Sequence, residues 1–163
     1  MAQLELNNLK LDHIAVVVKD ISKAVDFYGK AFGLKFEEIA EHQLPPDVIT
    51  RGKPTPYTMR VTFAQFGPVR LEMVQVVDGE CIYTEFLQKH GEGIHHLGYE
   101  VEDLDKEVAN AESQGLEMIC YLKMLGIMAF AHFDAGRTNG VRIELVQKDV
   151  REKLMAKLAE QSQ

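Results

Sequence analysis

LDHIAVVVKDISKAV, residues 11–25, aligns without a gap on IHHLGYEVEDLDKEV, residues 94–108, and decides the reading of the whole chain. His13 falls on His96, Val18 on Val101, Asp20 on Asp103, Lys23 on Lys106 and Val25 on Val108. A second pair follows in the same order: VRLEMVQ (69–75) matches VRIELVQ (141–147) and sets Glu72 on Glu144. Two matches in the same order, at comparable distances, identify a duplicated module.

Each copy reads in the same way. Leu11 to Val18 is a β-rich apolar run and predicts a mostly buried strand. Asp20 is placed to cap a helix with Ile21, Ala24, Val25, Tyr28, Ala31 and Phe32 on one face, and Gly33 to end it. In the second copy Asp103 caps, Leu104, Val108 and Ala111 form the stripe, and Gly115 stops the helix. Apolar β-rich segments follow, at about 34–40, 58–66 and 69–77 and at about 116–122, 126–133 and 141–147, parted by turn signals such as Gly67-Pro68 and Asn139-Gly140. The expected fold is α+β: two tandem βαβββ modules in one domain, about 10–77 and 92–148. A linker helix joins them over 78–91, and an amphipathic C-terminal helix over 149–161 carries Val150, Leu154 and Leu158 as its stripe.

The first module is about ten residues longer between helix stop and glutamate. The surplus, EHQLPPDVITRGKPTPYT (41–58), holds four of the five prolines and is expected to be a surface loop, of a length that suits a lid or binding loop.

Composition narrows the function. The 163 residues are 46% hydrophobic and 26% charged, enough apolar material for a core, with a net charge of −7 and no basic cluster. Nucleic acid is therefore not an expected partner. No apolar run reaches membrane-spanning length, and MAQLELNNLK lacks a signal-peptide layout, so a soluble cytoplasmic protein is expected. Cys81 and Cys120 lack metal-type spacing and are expected to be small buried thiols.

Strand alternation turns His13 to one face with Ala15 and Val17, and His96 with Gly98 and Glu100. Because His96 is the counterpart of His13, His95 is expected to face away. Glu72 and Glu144 sit among apolar strand neighbours, where burying a carboxylate is costly unless it is paired, hydrogen-bonded or metal-bound. Two histidines and two glutamates at duplicated positions predict a His₂Glu₂ site for one divalent ion, of the Co, Ni, Zn, Mn or Fe type rather than Ca. His42, His90 and His132 have no matching partners and are expected in loops or at the surface. Arg51, Lys53 and Arg60, in and beside the long loop, are candidate anion contacts, and Tyr57 a candidate wall or proton donor.

Two such modules carrying His13, Glu72, His96 and Glu144 resemble the vicinal oxygen chelate (glyoxalase/bleomycin resistance/dioxygenase) superfamily over nearly all of residues 10–148. The resemblance implies curved sheets around a metal cleft whose two open coordination sites bind adjacent substrate oxygens. Within the superfamily, EFLQKHGEGIHHLGYEVEDLD (85–105) is most similar to the methylmalonyl-CoA epimerases. That likeness implies an isomerase that abstracts the proton between a thioester and a carboxylate through a metal-stabilised enolate, an acyl-CoA substrate and a homodimer.

One departure bears on the base. The epimerases place a catalytic acid ahead of the first-module ligand, at positions that here hold Thr55 and Pro56, and no Asp or Glu occurs from 48 to 71. The base must then be Glu41 or Asp47, Glu100, or a ligand glutamate, Glu72 or Glu144, that lets go. A glyoxalase I-type lyase acting on a hemithioacetal, where a ligand glutamate serves, is the alternative enzyme. An Fe²⁺ dioxygenase, with two histidines and one glutamate, fits this set of four less well. A non-catalytic small-molecule binder of the same fold is the alternative outside catalysis.

Overall fold

The computed structural model describes residues 4–124 and 126–150. The expected C-terminal helix lies almost wholly outside the described residues. In chain order the strands and α-helices are β1 (Lys10–Val17), α1 (Ile21–Phe32), β2 (Ala40–Leu44), β3 (Ile49–Thr50), β4 (Lys53–Pro54), β5 (Tyr57–Phe66), β6 (Val69–Asp78), α2 (Ile82–His90), β7 (Gly93–Val101), α3 (Leu104–Ser113), β8 (Met118–Met124), β9 (Met128–Phe133) and β10 (Ile143–Gln147).

All ten strands form one sheet in the order β2-β5-β6-β1-β7-β10-β9-β8-β3-β4. The two modules contribute β2-β5-β6-β1 and β7-β10-β9-β8, so the order is a palindrome about the antiparallel β1–β7 seam. The sheet curls into a half-barrel, as the fold class requires.

The repeat extends to the helix starts. Asp20 accepts from the backbone N–H of Lys23 at 3.1 Å and Asp103 from that of Lys106 at 3.2 Å, the N-cap role read from the sequence. The repeated glutamines add a second contact: Gln75 accepts from Ile21 N–H at 3.0 Å and Gln147 from Leu104 N–H at 3.2 Å. Each last strand thereby holds the first turn of its own module's helix. Gly33 ends α1 with φ 71°, a conformation that favours glycine.

Alternation along β6 and β10 separates core from site. Leu71 and Met73 pack with Val16, Val18 and Ile21 beneath α1, while Ile143 and Leu145 pack with Leu104, Val108 and Ala111 beneath α3. Glu72 and Glu144, one residue out of phase, therefore point to the opposite, concave side. A third cluster, including Leu44, Val48, Tyr57, Ile82, Tyr83 and Phe130, joins the modules. Cys81 and Cys120 belong to it as free, buried thiols. No helix among the described residues is long and apolar enough to cross a membrane.

The proline-rich surplus is not a plain loop. It contains β2, β3 and β4, and β3 leaves its own module to pair antiparallel with β8, Ile49 opposite Tyr121 and Thr50 opposite Cys120. Its prolines confine pairing to short edge segments but do not forbid it. The fully buried Val48 nails the excursion to the central core.

Candidate metal centre and cleft

The β1–β7 seam carries two irregularities, and both create the site. Leu11 faces Tyr99 and His13 faces Gly98, so Asp12 is an extra residue; Ala15 faces His96 and Val16 faces Ile94, so His95 is an extra residue. These are β-bulges, which break alternation and re-aim side chains. Each bulged residue directly precedes a repeated histidine and reaches its Nδ1. Asp12 Oδ2 lies 2.9 Å from His13 Nδ1, and His95 Nδ1 lies 2.9 Å from His96 Nδ1. The expectation that His95 faces away is thus corrected: strict alternation fails at the bulge. His95 is buried against Tyr83 and Phe86, ring centroids 4.7 and 5.1 Å away.

The four repeated residues converge. The Nε2 atoms of His13 and His96 are 3.1 Å apart. Glu144 Oε2 lies 3.0 and 3.2 Å from them, and Glu72 Oε2 lies 3.5 and 3.6 Å from them. Donor atoms sharing one ion at bonds of about 2.1 Å would sit roughly 3.0–3.4 Å apart, from right-angle to tetrahedral. The three spacings among His13, His96 and Glu144 fall in that range and the two from Glu72 lie just beyond it. Two imidazole nitrogens and two carboxylate oxygens, largely buried and sufficient to neutralise a dication, fit a divalent metal.

Two further groups complete the surroundings. Arg70, whose guanidinium lies 4.3 Å from the centroid of the Phe63 ring, contacts Asp12 at 2.5 Å. His132 was expected in a loop or at the surface; it is instead wholly buried on β9, with Nε2 3.1 Å from Glu144 Oε1. Its position across the ladder from Glu144 is the signal, and the unequal hairpins of the two modules hide it from a gapless alignment.

Burial and close charge shape the metal-free cluster. Burial opposes charge on His13, but hydrogen bonds to Asp12 and Glu144 and the fields of Glu144 and Glu72 outweigh it and push the imidazole up to about 10. Glu72 is pushed up to about 7 by burial and by Glu144, against the pull of His13. Burial also presses on Glu144, yet His132, His96 and the bond to His13 hold it well below the usual carboxylate range. His96 is pushed down to about 4 by burial, against Glu144. Asp12 lies well below its usual range because its bonds to His13 and Arg70 overcome burial.

A cavity of about 410 Å³ opens onto the cluster. His13, Glu72 and Glu144 line it, with Asp12, Arg70, Tyr83 and the apolar side chains of Met59, Val61, Phe63, Met128 and Phe130. His42, expected in a loop or at the surface, lines it too, from its place on β2 opposite Met59. Other candidates lie elsewhere. Glu100 is paired with Lys10 at 3.1 Å, Glu41 with Arg60 at 2.9 Å and Arg51 with Glu85 at 3.2 Å, and none of these lines the cavity. Asp47 is exposed, as is Lys53, and His90 ends α2 beside Phe86. Tyr57 is buried behind the cavity wall, 6.2 Å from Tyr83 between ring centroids.

Residues 12–126 match the family model of the Glyoxalase/Bleomycin resistance protein/Dioxygenase superfamily. The chain belongs to this superfamily. Among relatives, a Bacillus subtilis (strain 168) protein, the uncharacterized YqjC, is 28% identical over 142 residues, covering 85% of this chain and 91% of its own. The mitochondrial methylmalonyl-CoA epimerase of Mus musculus is 27% identical over 144 residues, 85% of this chain and 72% of the relative. Among solved structures, a Streptomyces coelicolor methylmalonyl-CoA epimerase variant in complex with 2-nitronate-propionyl-CoA superposes with TM-score 0.66 at 19% identity, over 86% and 96% of the two chains.

Proposed function

We propose that this chain is a divalent-metal-dependent isomerase that epimerises methylmalonyl-CoA or a related 2-substituted acyl-CoA, with His13, Glu72, His96 and Glu144 as the metal ligands. The observation that carries this reading is the meeting of two imidazoles and two carboxylates at the inner end of an apolar cavity. Similarity to the methylmalonyl-CoA epimerases supports the substrate class. Bound there, the ion would polarise a substrate carbonyl and stabilise the negative charge that develops on its oxygen.

The chain's own residues supply the rest. Met59, Val61, Phe63 and Phe130 exclude water from around the reacting carbon. Arg70 is the Lys or Arg side chain that lines the cavity among the described residues, and it suits a substrate carboxylate. In the proton-transfer step the α C–H bond breaks, the proton passes to a carboxylate oxygen and the electron pair moves onto the thioester carbonyl. Return of the electron pair to the α-carbon, which takes a solvent-derived proton on the opposite face, completes the inversion. The strand β5 presents only Met59, Val61 and Phe63 to the cavity, and the acids Glu41 and Glu100 are paired elsewhere. Asp12, which also lines the cavity, is held by Arg70 and His13, and Asp149 is an exposed residue of the lining. Proton transfer therefore falls to Glu72 or Glu144, since geometry precedes pKa in choosing a base.

The same assignment of proton transfer to a ligand glutamate favours a second reading, a glyoxalase I-type lyase, in which a ligand carboxylate moves the proton of a hemithioacetal. The test is deuterium uptake at the α-carbon of methylmalonyl-CoA in D₂O by Co²⁺-loaded protein, with His96→Ala as control. Rapid uptake lost in the control is expected. Metal-loaded protein that leaves this carbon unlabelled, yet converts a hemithioacetal to a thioester, would transfer the assignment to the lyase.

A further inference from the structure

The two glutamates are duplicated, but their surroundings are not. Glu72 stands across its ladder from Phe63, and Glu144 stands across its ladder from His132. Phe63 and His132 are therefore equivalent positions of the repeat, one without a hydrogen-bonding atom in its side chain and one with two. The His132 Nε2 lies 3.1 Å from Glu144 Oε1, and the Tyr83 hydroxyl lies 3.4 Å from that nitrogen. His132 Nδ1 is buried without a partner among the described residues. A buried N–H left without an acceptor is rarer than an unused acceptor, so the ring proton sits on Nε2 and is donated to Glu144.

The consequence is an unequal pair. Glu144 is held at both oxygens: Oε1 by His132, and Oε2 at 3.0 and 3.2 Å from the Nε2 atoms of His13 and His96. Glu72 has only its Oε2 contacts, at 3.5 and 3.6 Å, and accepts no hydrogen bond from the described residues. Turning Oε1 of Glu144 toward an ion would strand the buried His132 N–H, whereas Glu72 can swing away at no such cost.

We propose that His132 is a positioning residue: by holding Oε1 of Glu144 it confines that carboxylate to single-oxygen metal ligation and leaves Glu72, backed by Phe63, as the displaceable carboxylate of the pair. This rests on the metal centre proposed above. The division of labour assigns the anchoring role to the second module and the mobile role to the first.

The test uses the full chain titrated with Co²⁺, whose d–d absorption reports coordination number. His132→Phe copies the other module, His132→Gln keeps an N–H donor, and Phe63→His gives Glu72 a donor of its own. His132→Phe is expected to weaken Co²⁺ binding roughly 10–100-fold and to change the d–d intensity, as loss of a partner that orients a ligand does. His132→Gln is expected to restore both. Phe63→His is expected to shift the spectrum by fixing Glu72, which keeps a readout if His132→Phe fails to fold. Wild-type affinity and spectrum in folded His132→Phe would overturn this proposal alone. Wild-type protein that takes no Co²⁺ would overturn the metal centre itself, and this proposal with it.

Discussion

The ring of His13 fills the space that a side chain at residue 98 would need. A β-carbon built on Gly98 overlaps Cε1 and Nε2 of that ring and comes within 2.6 Å of its Nδ1. The equivalent residue in the first module is Ala15, fully buried opposite His96. Gly98→Ala must therefore push the His13 imidazole off its position, while the β-strand backbone tolerates alanine. We expect Co²⁺ affinity to fall at least about 10-fold, with about 1–3 kcal/mol of stability lost to overpacking. A metal titration beside a thermal melt checks both.

Asp12 is the contact that orients His13, so Asp12→Asn removes the charge that the Nδ1 proton and Arg70 share. Metal affinity should drop roughly 10–100-fold. The same substitution has a pH signature in metal-free protein. The folded-state value of Asp12 is depressed, so its contribution to stability is complete above the unfolded value of about 3.9 and is lost as pH falls below it. The gap in melting temperature between wild type and Asp12→Asn should persist from neutral pH to about pH 5 and close under stronger acid. A gap that widened in acid would contradict the assignment.

Metal uptake should release protons. In the metal-free cluster His13 is raised to about 10 and Glu72 to about 7, so at neutral pH the first is protonated and the second partly so. Both must give up their protons to serve as ligands, which predicts release of roughly one to two protons per ion and affinity that weakens as pH falls. Calorimetric titration in buffers of different ionisation enthalpy measures the number directly.

Val48 tests the excursion between β2 and β5. A freely hinged lid would tolerate Val48→Ala, but Val48 is fully buried in the core that joins the modules. The substitution should cost about 1–3 kcal/mol, read from denaturant unfolding.

Much of this was legible because the chain states its pattern twice. Aligning His13 on His96 and Glu72 on Glu144 was enough to find the module, its helix caps and the four converging residues. What escaped were departures from periodicity. A two-residue repeat cannot show that Asp12 and His95 are bulged, because a bulge comes from the pairing of two distant strands. His132 has an aromatic twin rather than a histidine, and only the β9–β10 register reveals its neighbour. The pairing of β3 with β8 was hidden for a similar reason, since Ile49 and Thr50 carry too short a pattern to announce a strand.

The palindromic sheet order carries a consequence for symmetry. A single module supplies one histidine and one glutamate, so two copies facing each other across a seam like β1–β7 would already complete the set of four. Two separate identical chains, however, must surround both glutamates identically. Within one polypeptide that restriction does not hold, and Asp12 against His95, and Phe63 against His132, are positions at which the two halves differ.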